Sequence, residues 1–416
     1  MRVHAEAAPA FRAARRLCAI LAVFSIAALA GCVTKQAAPI PVVPVPPPPP
    51  VAPHQLSAEQ PDFLRLPNMA KDRTPLRVGV ILPLSNSSAS TRALANALLK
   101  AAELALYDSG NRDIVLMTAD DSANPAEAGA AASKLLGQGA EIIIGPLFAA
   151  SVSAVAPLAR DRGVPVLAFS TDRTVGGDGV YLLSFQPQNE VKRVIAYAIA
   201  QNHKNFAALI PNTTYGQVSE QAFREAVTAD GGTVSAVEHF NPSAGAVMDQ
   251  TAAISKANAD AIFIAQGGVM LRSIAPTLAY SGVDTAKVKL LGTGLWDDPS
   301  ITKEPALNGG WFAAPAPDAN DAFAAKYRET FGGTPPQLAA LAYDAVSLIA
   351  LLAPGQPYHR FTAAALADPN GFAGVDGIFR FNVDGSVDRG LAVLGIHPGG
   401  FTVIDPAPPT FQAHGS

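Results

Sequence analysis

The segment IIIGPLFAASVSAVAPLARDRGVPVLAFST, residues 142–171, contains two short apolar runs separated by a longer stretch. The first run, IIIGPL, and the second, VPVLAFS, are both rich in large aliphatic residues and punctuated by proline. Such runs are typical of strands buried on both faces, and the stretch between them has the length of a helix. The segment therefore predicts a strand–helix–strand unit with parallel strands.

The same alternation extends in both directions along the chain. Further apolar runs are RVGVILPL, DIVLMTA, FAALIP, VSAVEHF, AIFIAQ and KLLGTG. Between the first two, Leu94, Leu98, Ala101 and Ala105 recur at helical spacing, which predicts an amphipathic helix packed on a sheet. The pattern indicates an α/β fold of doubly wound parallel sheets. Roughly 340 residues exceed what one core holds, so we expect two lobes with a cleft between them.

The order of the elements predicts how the lobes are connected. Strand and helix patterns alternate over 76–170 and again over 206–294, and two helical patterns and a glycine-punctuated β-region follow. A chain that crosses between the lobes several times would explain this late return to helices and strands. The predicted division is 74–186 with 312–356 for lobe 1, 187–311 with 357–405 for lobe 2, and a tail at 406–416.

The N-terminal residues have the pattern of a secretory signal. Arginines at 12, 15 and 16 precede an almost entirely apolar stretch, 17–30, which is too short to span a membrane. The stretch ends in Leu29-Ala30-Gly31-Cys32, which resembles a bacterial lipobox. That resemblance implies that residues 1–31 are removed and that Cys32 carries a lipid. The alternative is an ordinary signal peptide with a chance cysteine.

A proline-rich segment separates Cys32 from the predicted lobes. Within residues 32–73, the stretch APIPVVPVPPPPPVAP at 38–53 is more than half proline, which excludes helix and sheet interiors. In polyproline II it would form a semi-rigid spacer of roughly 45–50 Å. We interpret it as a stalk between a membrane and the lobes. Val33, where an inner-membrane retention signal would have aspartate, favours the outer membrane by resemblance to sorted lipoproteins.

Charge and cysteine content limit the partners. Removal of residues 1–31 takes away four arginines and one glutamate from 30 basic and 34 acidic residues, which leaves 26 and 33. A net charge of −7 attracts neither nucleic acid nor anionic lipid, so the lipid anchor would be the only membrane contact. Cys18 would leave with the signal, so no disulfide is possible.

Over about Leu76 to Val403 the chain resembles type I periplasmic binding proteins of the leucine/isoleucine/valine-binding kind. The segments that carry the resemblance are VGVILPLS (78–85), DDSANPAEA (120–128), the segment at 142–171, TTYGQVSEQAFREAVTADGGTV (213–234), DAIFIAQGGVMLRSIAPTLAYSGV (260–283) and AYDAVSLIALL (342–352). The resemblance implies two doubly wound lobes, three hinge strands and a cleft between the lobes.

Candidate ligand or partner contacts follow from the rule that ligands of open α/β sheets bind beyond the carboxyl ends of the strands. Applied to the predicted strands, this rule selects Ser85, Asn86, Phe148, Ser151, Ser170, Thr171, Tyr215, Gln266 and Trp296. The hydroxyl groups suit a carboxylate or another polar group, and the aromatic residues suit a ring. Helix capping is an equally good interpretation of Ser151 and Ser170.

Three departures from the amino-acid binders argue against an ordinary branched-chain amino acid as ligand. Ala149 stands where those proteins have a hydroxyl residue for the α-carboxylate, and Gly294 stands where they have a carboxylate for the ammonium group. Gln266-Gly267-Gly268 replaces an aromatic residue. A bound zwitterion would leave buried charges unpaired, although Asp297 and Asp298 lie close enough in sequence to substitute.

A narrower resemblance implies a different role. The phrases IIGPLFAASVSAVAPLA, VPVLAFSTDRTV, GVYLLSFQP and FAALIPNTTYG resemble the carboxy-terminal domain of penicillin-binding-protein activator lipoproteins. That resemblance implies a non-catalytic protein that binds a peptidoglycan synthase in the periplasm and activates it. The alternative is the solute-binding component of an ABC importer with a small polar ligand.

Signals of catalysis are absent from the sequence. The chain contains no GxxxxGK[ST], GxSxG or HExxH motif, and its histidines lack close metal-ligand spacing. We therefore expect neither an enzyme nor a cofactor or metal. If the cleft docks a protein, Trp296 is the predicted anchor at its mouth, whereas Trp311 is predicted to be a core residue.

Overall fold

The computed structural model describes residues 63–67, 74–242 and 247–411. The predicted signal peptide, lipidated Cys32 and proline-rich stretch at 38–53 lie outside the described residues.

The first lobe is built on a six-stranded sheet with helices on both faces. Its elements are β1 (Phe63–Arg65), β2 (Leu76–Leu82), α1 (Ala89–Ser109), β3 (Ile114–Asp120), α2 (Pro125–Gly137), β4 (Ile142–Ile144), α3 (Ala149–Arg160), β5 (Val166–Ala168), a 3₁₀ helix (Arg173–Val175) and β6 (Val180–Leu182). The strand order is β1-β3-β2-β4-β5-β6, and only β1 pairs antiparallel. The strand–helix–strand unit predicted at 142–171 is confirmed as β4-α3-β5.

Local sequence explains where these elements form. All seven residues of β2 are buried, as expected for a strand covered on both faces. The α1 helix begins where the Ser88 hydroxyl accepts a hydrogen bond from Thr91 N at 3.3 Å. It ends at Gly110, whose φ of 60° is a left-handed conformation that glycine adopts without strain.

The second lobe is built on a seven-stranded sheet. Its first elements are α4 (Pro187–Ala200), β7 (Asn205–Pro211), α5 (Thr214–Ala229), β8 (Thr233–Phe240), α6 (Met248–Ile254), β9 (Ala261–Ile264), α7 (Gly268–Tyr280), β10 (Lys289–Gly292), three 3₁₀ helices (Gly294–Trp296, Pro299–Lys303 and Pro305–Leu307) and β11 (Trp311–Ala314). The chain then returns to the first lobe and crosses back a last time.

The returning segment adds helices and a small sheet to the first lobe. It consists of α8 (Asp321–Phe331), α9 (Ala339–Leu352), α10 (Ala363–Leu366), β12 (Phe372–Gly374), β13 (Gly377–Phe381) and β14 (Val387–Arg389), and is followed by β15 (Ala392–His397) and β16 (Gly400–Asp405) of the second lobe. The second sheet has the order β16-β15-β11-β10-β9-β7-β8, in which β15 pairs antiparallel with both neighbours.

The chain thus passes between the lobes three times. In chain order, the first crossover is 183–186, the second is 315–320 and the third is 390–391. The expected α/β fold with two lobes is confirmed, with parallel-rich but mixed sheets. Two predicted lobe boundaries are wrong. The strand at 311–314 belongs to the second lobe, because it pairs with β10 and β15. Part of 357–405 belongs to the first lobe, because Phe361, Phe379 and Val387 lie in its core.

In the part of the chain that the structure describes, no helix is long and apolar enough to cross a membrane.

Candidate functional site

A cavity of about 630 Å³ is lined by residues from both lobes. Its lining residues are Thr171, Asp172, Arg173 and Thr174 of the first lobe, Pro187 and Gln188 beside the first crossover, and Thr214, Tyr215, Val218, Gln221, Ala222 and Glu225 of α5. We call it the cleft cavity. Its volume lies within the usual range of small-molecule sites, about 300–1,000 Å³.

The loop after β5 places Arg173 in the cleft cavity. The Ser170 hydroxyl accepts a hydrogen bond from Asp172 N at 3.1 Å. Asp172 in turn caps the short 3₁₀ helix by accepting from Thr174 N at 2.9 Å. Arg173 Nε then donates to the side-chain oxygen of Gln186 in the first crossover at 2.8 Å. Arg173 is the one basic residue among those lining the cleft cavity, and this contact holds it beside the crossover.

The first turn of α5 places Tyr215 on the other side of the cavity. A Cβ on Gly216 would stand 1.9 Å from Pro211 O, so only glycine allows this turn to lie so close to β7. The Tyr215 hydroxyl lies 2.7 Å from the hydroxyl of Thr293. Burial raises the pKa of Tyr215, and the nearby charge of Glu190 raises it further. The phenol therefore stays protonated.

An unpartnered oxygen also lies in the wall of the cleft cavity. The buried Oε1 of Gln188 has no hydrogen-bond partner within the described residues. An amide oxygen left in this state is costly, so a donor from a bound molecule would be stabilised here.

A neighbouring cavity of about 510 Å³ extends the cleft over the first lobe and shares Thr171 and Asp172 with the cleft cavity. Much of its lining is apolar, and the apolar members are Leu94, Leu147, Phe148, Ala149, Phe169, Phe185 and Leu338. Phe148, at the start of α3, is 40% exposed, so its ring is available to a ligand. We call this second space the apolar cavity.

Four of the nine predicted contact residues line these two spaces: Phe148, Ser170, Thr171 and Tyr215. That they touch a ligand stays a prediction. Ser85 and Asn86 line neither cavity and instead hold two loops together. The Ser85 hydroxyl lies 2.7 Å from that of Ser122, and Asn86 Nδ2 donates to Ser122 O at 2.8 Å.

Ser151 is fully buried and cannot serve as the predicted ligand contact. Its hydroxyl lies near the buried carboxyl of Asp121. Burial raises the pKa of Asp121, and the interaction with Ser151 opposes that rise. Gln266 also lines neither cavity, and its side-chain nitrogen donates to the adjacent Gly267 O at 3.2 Å.

The predicted roles of the two tryptophans are wrong. Trp296 is 0% exposed and lies in the core of the second lobe, where its Nε1 donates to Gln266 O at 2.8 Å. The 3₁₀ helix after β10 turns the indole inward, against a Gly292 whose Cβ would stand 2.1 Å from the ring. Trp311 is only partly buried, and Lys289 Nζ lies 4.4 Å from its ring centroid. A cleft-mouth anchor at Trp296 is therefore excluded.

Sequence reasoning missed a group of buried charges at the crossovers. Arg389 is fully buried, donates from Nε to Ser184 O at 3.0 Å and lies over the ring of Phe185 at 4.4 Å. Three acidic residues act on its charge: Asp344, Asp376 and Glu190. Burial raises the pKa of Glu190 to about 7 and that of Asp344 to about 7.

Glu190 also revises one expected departure from the amino-acid binders. Its Oε2 accepts a hydrogen bond from Gly294 N at 3.0 Å. A carboxylate therefore does lie at Gly294, although α4 supplies it rather than the loop after β10. In sequence, Glu190 is indistinguishable from an ordinary acidic residue in a first helical turn.

Within 63–67, 74–242 and 247–411, no group of three or more His, Cys, Asp or Glu side chains is arranged to hold a metal ion.

Comparison with known proteins gives the class. The family model described as periplasmic binding protein matches residues 75–400, so the chain belongs to this family. Membership indicates a periplasmic location and a ligand-binding fold.

Two solved structures share the fold. One is a putative branched-chain amino acid ABC transporter from Rhodospirillum rubrum, which is 23% identical with a TM-score of 0.72 over 79% of this chain and 100% of that one. The other is an ABC transporter solute-binding protein from R. palustris in complex with benzoate, 20% identical with a TM-score of 0.57 over 82% and 98%.

Among curated proteins, an uncharacterised protein of Rickettsia prowazekii (strain Madrid E) is 22% identical over 192 residues. The match covers 46% of this chain and 50% of that protein, so the chain spans about half the length of the curated relative it matches.

Proposed function

We propose that this protein is the non-catalytic solute-binding component of an importer and that its ligand is a small carboxylate with an apolar or aromatic body. The observation that carries the proposal is the pair of adjoining cavities, one lined by both lobes and containing Arg173, the other largely apolar. Periplasmic location, an interlobe cleft and membership in a binding-protein family all support a solute-binding role.

The chemistry of the two cavities favours an organic acid. Arg173 supplies a cation, and the hydroxyl of Thr171, which lines both cavities, supplies a hydrogen-bond donor to a carboxylate. The rings of Phe148, Phe169 and Phe185 would cover an apolar body. The benzoate-bound structure of the same fold is an example of such a ligand in a similar protein.

Calorimetric titration of the purified chain with benzoate and with cyclohexanecarboxylate tests this proposal. We expect saturable binding of at least one of the two that weakens tenfold or more in Arg173→Gln. Arg160→Gln is the matched control, because Arg160 is an exposed arginine of the first lobe that lines neither cavity. Equal affinity of the two variants, or no heat from either acid, would contradict the proposal.

The alternative is activation of a peptidoglycan synthase, which rests on sequence resemblance alone. The fold relatives favour solute binding, and the buried Trp296 removes the predicted anchor for such a partner. A pull-down from solubilised envelope, scored for peptidoglycan synthases against permease subunits, decides between the two functions.

The lipid anchor at Cys32 and attachment to the outer membrane are also proposals, because Cys32 lies outside the described residues. They are supported by the signal-like N-terminus and the lipobox resemblance. Metabolic labelling with a fatty acid should mark the native chain and not Cys32→Ser. A labelled Cys32→Ser chain would contradict anchoring at this residue.

A further inference from the structure

A third cavity, of about 240 Å³, lies at the second crossover. Its lining residues are Asp297, Pro315, Ala316, Pro317, Asn320, Asp321, Ala324, Pro335, Pro336, Gln337 and Asp376. None of them lines the cleft cavity or the apolar cavity. We call it the acidic cavity, since its ionisable residues are three aspartates.

The aspartates come from both lobes. Asp297 follows the 3₁₀ helix after β10 in the second lobe, whereas Asp321 begins α8 and Asp376 lies in the turn between β12 and β13 of the first lobe. No lysine or arginine is among the lining residues. A cation in this space would therefore contact both lobes.

One of these carboxylates is buried, and one of its two oxygens has no hydrogen-bond donor. Asp376 is 2% exposed, and Asn320 Nδ2 donates to its Oδ1 at 2.8 Å. Its Oδ2 has no hydrogen-bond partner among the described residues. The charge of Arg389 acts on Asp376, but Arg389 does not line the cavity. A buried carboxylate oxygen without a donor is costly, and a bound donor would remove that cost.

The electrostatics of Asp297 agree with this geometry. The surrounding protein displaces part of the water around the Asp297 carboxyl and so raises its pKa, and the charges of Asp376 and Asp298 raise it further. Asp376 is therefore close enough to repel Asp297, and a cation between them would relieve that repulsion.

The remaining lining defines the kind of cation. Four prolines and two alanines supply apolar contacts, which suit an alkyl chain. Because proline fixes its φ angle, the backbone that carries these contacts is rigid. In the described ranges, no three His, Cys, Asp or Glu side chains, these three aspartates included, are arranged to hold a metal ion. The volume is below the usual lower bound of about 300 Å³ for drug-sized ligands.

We propose that the acidic cavity binds a small primary alkylammonium ion, with its nitrogen on Asp376 and Asp297 and its alkyl chain against the prolines. The ion would connect the two lobes at the second crossover. This site is separate from the cleft and does not depend on the ligand proposed for it.

Calorimetric titration of the purified chain with n-butylammonium chloride tests the proposal. We expect saturable binding that weakens at least tenfold in Asp297→Asn and in Asp376→Asn. Asp318→Asn is the matched control, since it makes the same charge change on the same crossover at an exposed residue outside the lining. Potassium chloride and 1-butanol titrations separate the ammonium effect from ionic strength and from the alkyl chain.

Each outcome decides the question. The proposal would be overturned if n-butylammonium chloride released the same heat as potassium chloride, or if all three variants bound the amine with equal affinity. It would also be overturned if the chain bound magnesium rather than the amine and Asp297→Asn abolished that magnesium binding. Part of the Asp297 side chain is exposed to solvent, so Asp297→Asn remains decisive if Asp376→Asn fails to fold. Benzoate binding in the cleft should be unchanged in Asp297→Asn and Asp376→Asn, because the acidic cavity and the cleft cavity are separate sites.

Discussion

The cleft cavity and the acidic cavity are both lined by residues from the two lobes, yet their chemistry differs. The cleft cavity adjoins an aromatic surface and contains one arginine beside two acidic residues, Asp172 and Glu225, whereas the acidic cavity has three aspartates, no basic residue and four prolines. Both lie where loops at the carboxyl ends of strands meet a crossover. The fold thus supplies the positions of such spaces, while individual loop side chains decide what each can bind.

Trp296 and Asp297 show that neighbouring side chains of one loop can occupy very different environments. The two are consecutive, but the indole is fully buried in the second lobe and the carboxylate lines the acidic cavity. The loop that carries Asp297 is therefore anchored by a core residue. In the loop after β5, the Arg173 side chain donates to Gln186, and the neighbouring Val175 is only partly buried against the core of the first lobe.

The largest effect should come from removing that anchor. Trp296→Ala is expected to lower the free energy of unfolding by about 3–5 kcal/mol, because it empties a buried aromatic position. Trp311→Ala should cost less, since Trp311 is only partly buried. Urea unfolding measures both. Butylammonium binding to folded Trp296→Ala should be weakened while carboxylate binding in the cleft persists. Equal destabilisation by the two substitutions would contradict the buried role of Trp296.

The next effect concerns two buried acids, Glu190 and Asp344. Glu190 acts on Tyr215 of the cleft cavity, and Asp344 is affected by Asp376 of the acidic cavity. The folded pKa of each is raised to about 7, so each stabilises the fold fully below its ordinary pKa near 4 and loses that contribution as pH rises through about 7.

Replacing either acid by its amide should therefore flatten the dependence of stability on pH. Between pH 5 and pH 8, Glu190→Gln and Asp344→Asn should each gain on the order of 1–3 kcal/mol relative to the native chain. Urea unfolding at several pH values measures this, with exposed Glu225→Gln as control. A difference that does not change with pH would show that the acid is already ionised across the range.

The smallest expected effect concerns branched-chain amino acids, which should leave the melting temperature unchanged. Leucine, isoleucine and valine at millimolar concentration should not raise the melting temperature. Ala149 has no hydroxyl for an α-carboxylate, and Glu190 is engaged by Gly294 N. Ligand linkage gives about 2.7 kcal/mol at a hundredfold excess over Kd, so tight binding would be visible. A shift of several degrees that Glu190→Gln abolishes would instead identify Glu190 as the partner of the ammonium group.

Much of the fold was predictable because its signal is repeated along the chain. Apolar strands alternate with amphipathic helices, and each unit buries both faces of a sheet, so the two lobes follow from the pattern. The boundaries at 311–314 and 357–389 were not predictable in this way. A short strand or hairpin carries no mark of which sheet it joins, and long-range pairing decides it.

The site was predictable only in outline. The rule about strand ends led to Phe148, Ser170, Thr171 and Tyr215, which line the two cleft spaces. It also selected Ser151, Gln266 and Trp296, which follow strands equally well but turn toward the protein interior or the backbone.

The fold class and the strand ends at which loops gather could therefore be read from the sequence, because periodicity and turn residues act locally. Long-range packing selected the loop side chains that enter a cavity, placed Glu190 rather than a neighbour of Gly294 at the Gly294 amide, and brought Arg389 under the influence of three distant acids. Burial and electrostatic interaction depend on distances in space, and residues such as Glu190 and Arg389, 199 positions apart, carry no local signal of meeting.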